Sequence, residues 1–139
     1  MTDPDLLAKK LAQIETAIAE LRALARLDQL GHDVKEERFV EHTLQIAIQA
    51  ALDVASHIVS DQRLGEPRTN RELFGLLGRR GILPLDLVAV LEEAAAFRNV
   101  LVHGYDDVDI AIVRDVVEHR LDDLLVFVAS VRRWVANSE

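Results

Sequence analysis

Several residue types are absent or scarce in this sequence, and each absence excludes a class of protein. The 139 residues contain no cysteine, which excludes disulfide bridges, thiolate metal sites and a thiol nucleophile. Only 4% of the chain is aromatic, and no apolar run approaches the ~20 residues of a membrane span. The first ten residues, MTDPDLLAKK, lack the apolar stretch of a signal peptide. We therefore expect one cytoplasmic domain, residues 1–139, without membrane association.

Basic residues are also outnumbered by acidic ones. The chain has 16 Lys and Arg against 24 Asp and Glu, a net charge of −8. Because such a surface repels a phosphate backbone, any RNA site must be local. Between residues 63 and 80, five arginines face two glutamates, which leaves a local balance of +3. This possible RNA-binding set, named here the arginine set, comprises Arg63, Arg68, Arg71, Arg79 and Arg80; a solvated loop with scattered arginines is the alternative.

The residues that are abundant favour helices. Half of the chain is apolar, mostly alanine, leucine and valine, and the apolar residues recur at steps of three and four without strand-like alternation. The fold class predicted is all-α, an antiparallel up-and-down bundle of four long helices plus one short inserted helix. The predicted helices span Asp3 to about Leu30, about 35–62, Arg71 to about Leu77, Pro84 through the motif described below, and the aspartates at 106–109 through Val135.

The middle of the second helix is nearly free of charge. Between His42 and Ser60 the one charged residue is Asp53, whereas a solvent-facing side normally carries Lys, Arg or Glu. We infer that this helix is enclosed by the core and by a second copy of the chain, which predicts a homodimer. Asp53 and His57 stand four apart and can pair. A metal site would need a third ligand that the sequence does not offer within reach, so none is predicted.

A stretch that combines four reactive side chains lies at 97–105, FRNVLVHGY. The planar fork of Arg98 suits phosphate, and His103 can give or take a proton near neutral pH. Gly104 then ends the helix and lets the chain turn back beside Arg98. Arg114 and His119 repeat the spacing, but within a continuous helix they point about 140° apart. An ordinary helix C-terminus is the alternative interpretation of the first pair.

The run RNVLVHGY, residues 98–105, resembles the Arg-x4-His-x-Tyr signature of the HepT-like branch of the HEPN ribonuclease superfamily. The segment 38–41, the helix LQIAIQAALDVASHIVS, the loop 65–67 and the run ELFGLLGRRGIL resemble the family in the same order, over about two-thirds of the chain.

That resemblance implies a metal-independent endoribonuclease toxin without a cofactor, acting as a homodimer on an RNA substrate. It also implies silencing by a cognate minimal nucleotidyltransferase antitoxin that transfers AMP to Tyr105. In that scheme His103 handles the proton during attack of a ribose 2′-hydroxyl, Arg98 stabilises charge on the phosphoryl oxygens, and Asn99 positions the phosphate.

Two other functions remain open on the sequence. The chain could be a non-catalytic module that binds RNA or nucleotides, or that only accepts AMP from the nucleotidyltransferase. It could also be a helical interaction protein whose motif is structural.

Overall fold

Six α-helices account for most of the described chain. The computed structural model describes residues 2–103 and 108–138, and these contain no β-strand. The helices are α1 Pro4–Leu24, α2 Val34–Asp61, α3 Asn70–Arg79, α4 Leu85–His103, α5 Ile110–His119 and α6 Leu121–Asn137, with a short 3-10 helix at Leu27–Gln29. The predicted all-α class is confirmed.

The helix α2 is the centre of the bundle, in contact with α1, α3, α4 and α6. Its apolar residues recur every three or four positions, so one face points continuously inward. Burial of each large aliphatic side chain contributes about 1.5–3 kcal/mol, which makes these faces the main source of stability. The sequence predicts an apolar stripe on each of α1 and α2, and all of its members except the half-buried Ala25 are buried: Leu7, Leu11, Ile14, Ile18, Leu21, Leu44, Ile48, Ala51, Ala55 and Ile58.

The first helix ends at Leu24 and not near Leu30, as the sequence had predicted. Two carboxylates at the start of α2 explain the difference: Glu36 accepts a hydrogen bond from the Arg26 backbone N–H (2.9 Å), and Glu37 accepts one from the Gly31 N–H (2.8 Å). Backbone groups that a longer helix would satisfy are therefore bonded to side chains of the next helix. The spacing of Asp33 and Glu36 predicts a capping box, but this does not form, because Glu36 accepts from Arg26 and not from the Asp33 N–H.

The last predicted helix is divided in two at Arg120, whose φ of −116° and ψ of −5° separate α5 from α6. The apolar rhythm runs through this break without interruption, and neither glycine nor proline marks it. The bundle therefore has four long helices and two short ones, where the sequence predicted four and one.

Candidate functional site

The side chain of Arg98 lies on the inward face of α4. It follows the buried Ala95 by three residues and precedes the buried Leu101 by three, so all three share that face. Arg98 is half-buried, and its Nε atom is buried without a hydrogen-bond partner in residues 2–103 and 108–138. Leaving a buried donor unpaired costs about 1–3 kcal/mol, so stability does not explain this placement.

Asn99 and His103 complete the described part of the motif. Asn99 is exposed, and its Oδ1 accepts a hydrogen bond from Nη1 of Arg98 at 3.3 Å. His103 is the last residue of α4, five residues or about 7.5 Å along the axis from Arg98. The His103 side chain and residues 104–107, which include Tyr105, lie outside the described residues. The helix thus places the three predicted catalytic residues within its last turns.

The arginine set is exposed on the loop before α3, on α3 and directly after its last residue. This helix packs against the first turns of α4, because Gly78 has no Cβ: a Cβ there would lie 2.6 Å from Cγ2 of Val88. Val88 precedes Arg98 by ten residues, about 15 Å along the helix axis. The carboxyl end of α3, with Arg79 and Arg80, therefore lies about 15 Å along α4 from Arg98.

The expected pairing of Asp53 with His57 is wrong. Asp53 accepts hydrogen bonds from Nζ of Lys10 (3.1 Å) and from Nε2 of Gln49 (2.9 Å). Nε2 of His57 accepts one from the backbone N–H of Asp3 (3.2 Å) at the start of α1. Both side chains attach α2 to α1 of the same chain, so part of the enclosure that the sequence indicated comes from within the subunit.

A groove of about 810 Å³ opens between the first turns of α2 and the end of α4. Leu101 and Val108, which line it, stand on either side of residues 104–107 in the chain, so the groove adjoins the motif. Several polar residues of α2 line it, and we call three of them, at positions i, i+3 and i+4, the α2 stripe: Arg38, Glu41 and His42.

Comparison with known proteins assigns the family. The chain matches the family model described as Ribonuclease HepT-like over residues 14–131. It is 30% identical over 129 residues to the mRNA nuclease HepT of Shewanella oneidensis. That alignment covers 92% of this chain and 97% of the relative. The chain belongs to the HepT-like ribonuclease family. It is also 31% identical over 113 residues to the tRNA nuclease HepT of Aphanizomenon flos-aquae, covering 81% of this chain and 77% of the relative.

The HepT-like fold extends over nearly the whole chain. The structure superposes on the tri-AMPylated HEPN toxin of Shewanella oneidensis, solved in complex with its MNT antitoxin, with a TM-score of 0.86. That comparison has 29% sequence identity and covers 94% of this chain and 99% of the toxin chain. The predicted resemblance to the HepT-like branch is therefore confirmed. No helix in the described parts of the chain is long and apolar enough to cross a membrane.

Within this HepT-like chain, sequence reasoning missed the groove and the α2 stripe. Segment 38–41 entered only as part of the resemblance. The signal that could have identified the stripe is its helical spacing, which places Arg38, Glu41 and His42 on one face. Periodicity could not show that the end of α4 would leave that face open.

Proposed function

We propose that this chain is the endoribonuclease toxin of a toxin–antitoxin pair and that it cleaves RNA in the cytoplasm without a metal ion. The observation that carries the proposal is the half-buried Arg98, whose Nε has no hydrogen-bond partner in the described residues, in a chain that matches a ribonuclease family model over residues 14–131. Two relatives are named mRNA nuclease and tRNA nuclease, which supports RNA as the substrate class.

In the proposed reaction, a ribose 2′-oxygen loses its proton and bonds to the adjacent phosphorus. The bond from phosphorus to the 5′-oxygen breaks, and that oxygen takes up a proton, so the products are a 2′,3′-cyclic phosphate and a 5′-hydroxyl. His103 transfers a proton, and the Arg98 guanidinium stabilises the charge that develops on the phosphoryl oxygens. Asn99 uses its oxygen to orient Arg98, which leaves its amide N–H groups for the phosphate.

A composite site in a homodimer is part of the proposal, because one imidazole cannot remove and donate protons at the same moment. Apolar surface beside the motif supports it: Ile112 is 50% exposed and Val100 is 45% exposed. Ile112 also lines an apolar groove of about 170 Å³ with Phe97, the residue before Arg98. Ala95, in the run of three alanines before the motif, is buried in the subunit's own core at 1% exposure and is not part of this surface.

The dimer is tested by placing a charge on this surface. Light scattering should give about twice the chain mass of 15.5 kDa for the wild type. Ile112→Glu should dissociate the dimer and lower cleavage together, because an unpaired charge in a closed contact is costly. Leu85→Glu is the matched control, since Leu85 is 75% exposed at the other end of α4. An Ile112→Glu monomer with full activity would exclude the composite site.

Tyr105, the one tyrosine of the sequence, is proposed as the AMP acceptor of a cognate minimal nucleotidyltransferase. Support comes from its place in the motif and from the neighbouring toxin, which is tri-AMPylated and bound to an antitoxin. The phenol oxygen would attack the α-phosphorus of ATP and release pyrophosphate. The attached phosphate would then occupy the position of the RNA phosphate near Arg98 and block cleavage.

Intact-mass measurement after incubation with that nucleotidyltransferase and ATP tests the acceptor. The wild type should gain ~329 Da for each AMP unit. Tyr105→Phe should keep much of the cleavage activity, gain no mass and resist silencing. If the phenylalanine variant gains the same mass, another residue is the acceptor.

The arginine set remains a proposed contact for RNA that extends away from the motif. Two of its members, Arg79 and Arg80, lie about 15 Å along α4 from Arg98. Replacing Arg79 and Arg80 together by glutamine should weaken RNA binding and reduce its dependence on salt, while a short RNA that spans only the motif is cleaved normally.

The decisive experiment measures cleavage of single-stranded RNA by the purified protein in the presence of EDTA. Wild type should cleave and leave cyclic phosphate ends, and His103→Ala should be at least ~10²-fold slower, the usual size of an acid–base contribution. Cleavage that requires a divalent ion would contradict the proposed chemistry. Binding of RNA without any cleavage would favour a non-catalytic module.

A further inference from the structure

Two successive turns of α2 use their charged residues differently. In the first turn, Glu36 and Glu37 accept hydrogen bonds from backbone N–H groups of the preceding loop. In the next turn, no side chain of the α2 stripe makes a hydrogen bond or an ion pair within residues 2–103 and 108–138. The fold thus accounts for the first turn and leaves the second without a structural role.

Glu41 is the most informative member of the stripe. It is half-buried on the groove wall, and no described donor reaches its carboxylate. Burial raises the pKa of Glu41, the nearby charge of Glu37 raises it further, and Arg38 opposes both effects. A carboxylate kept partly away from water without a partner reduces stability, which is typical of groups that await a ligand.

The position of the stripe indicates what that ligand is. The groove adjoins the end of α4 that carries the motif, so RNA bound at Arg98 and His103 passes this wall as it leaves the site. On this wall Arg38 offsets the charge of Glu41, and the carboxylate of Glu37 accepts a hydrogen bond from the Gly31 N–H. Arg38 and His42 stand four residues apart on the exposed edge of the groove, as two contacts to one phosphate would require.

We propose that the α2 stripe is a nucleotide subsite for single-stranded RNA, in which Arg38 and His42 bind a phosphate next to the scissile one and Glu41 accepts a hydrogen bond from the same nucleotide. The donor on the nucleotide is a ribose 2′-hydroxyl or an exocyclic amino group of the base. This inference rests on the proposed ribonuclease function and adds substrate-binding residues to its site.

A substitution cycle between protein and RNA tests the subsite. The probes are short single-stranded RNAs with one cleavage site. In one series a single nucleotide other than the attacking one carries 2′-deoxyribose, and in the other a single cytosine is replaced by uracil. For wild type, modification of the RNA at one position in one of the two series should lower kcat/KM roughly tenfold, mainly by raising KM. This is the effect expected for loss of one charge-assisted hydrogen bond. Glu41→Ala should show the same loss with unmodified RNA and no further loss at that position.

Matched variants separate this role from a general effect of lost charge. Glu92 is also half-buried, lies on α4 and has no hydrogen bond or ion pair in the described part of the chain, so Glu92→Ala should retain wild-type sensitivity to every modified RNA. Glu41→Gln preserves the shape of the side chain and should lose activity without loss of thermal stability. Arg38→Gln should reduce the salt dependence of binding by about one phosphate contact.

The outcomes distinguish the subsite from the function on which it rests. If wild type does not cleave, or His103→Ala cleaves as well as wild type, the proposed function fails. If His103→Ala is inactive but Glu41→Ala and Glu92→Ala respond alike at every RNA position, the subsite is refuted and the function stands. If Glu41→Ala leaves RNA kinetics unchanged but weakens binding of the cognate nucleotidyltransferase, the groove is a protein contact and the RNA subsite is likewise refuted.

Discussion

Arg98 and Arg114 each precede a histidine by five positions, yet their guanidinium groups are in opposite situations. Nη2 of Arg114 donates to the Leu27 carbonyl at 3.2 Å and thereby attaches α5 to the short helix after α1. The buried Nε of Arg98 has no partner among the described residues. His119, the partner of Arg114 by spacing, is largely exposed at the end of α5, 3.5 Å from Glu118. The two pairs thus have the same sequence spacing, but their arginines differ in hydrogen bonding.

The largest expected effect is on catalysis. Arg98→Ala should lower the rate of RNA cleavage at least ~10²-fold, because an interaction with the developing phosphate charge is lost. Arg114→Ala should change the rate less than about threefold. Arg98→Lys sharpens the comparison, since it keeps the charge but removes the planar fork and should still cost more than about tenfold. Rates at saturating RNA measure both, and equal losses from Arg98→Ala and Arg114→Ala would end the distinction.

Stability should change in the reverse order. Arg114→Met removes a hydrogen bond to a backbone carbonyl, so we expect the free energy of unfolding to fall by about 0.5–1.5 kcal/mol. Arg98→Met removes an exposed hydrogen bond to Asn99 but also replaces a buried Nε donor that has no described partner by an apolar group, so it should be neutral or stabilising. Urea unfolding at one fixed protein concentration measures both variants. A marked destabilisation by Arg98→Met would mean that Arg98 has a structural role.

The smallest expected effects are on stability. They concern two glutamates, of which one is paired, like Arg114, and the other has no described partner. Glu15 on α1 is paired with Arg132 on α6 at 2.9 Å, and the hydrogen bond from Arg132 lowers the pKa of Glu15. Glu41 is unpaired, and burial raises its pKa. A lowered pKa stabilises the fold above the unfolded value of about 4.3, and this contribution disappears as the pH falls through the folded pKa. A raised pKa has the opposite sign, so ionisation of Glu41 costs stability above its folded pKa.

At pH 7, Glu15→Gln should therefore lower the unfolding free energy by less than about 1 kcal/mol, because the pair is partly exposed and screened by solvent. Glu41→Gln should instead raise the melting temperature at pH 7. Both differences from wild type should shrink as the pH falls towards 4 and below, which thermal melts across that range can follow. A destabilising Glu41→Gln at pH 7 would show that the carboxylate has a partner in the fold.

Periodicity was sufficient for the helices and their inward faces, and a local motif was sufficient to place Arg98, Asn99 and His103 at the end of α4. Neither periodicity nor the motif could predict helix ends and breaks that depend on contacts between helices. The end of α1 is set by Glu36 and Glu37 from the next helix, which no local pattern shows.

The break at Arg120 is equally invisible, because the apolar rhythm of α5 continues into α6. Ala95 also shows the limit of composition: a run of small residues indicates close helix packing, but only the structure shows that this packing is inside the subunit. The open groove beside the α2 stripe results from the relative placement of α2 and α4, which spacing within one helix cannot specify.

The absence of a Cβ at Gly78 allows α3 to pack closely against α4. A Cβ at this position would lie 2.6 Å from Cγ2 of Val88, so the Val88 side chain or the spacing of the two helices would have to change. Arg79 and Arg80 follow directly on the chain, whereas Arg98 lies about 15 Å away along α4. One methyl group at position 78 would therefore disturb the end of α3 that carries these two arginines more than it would disturb the motif.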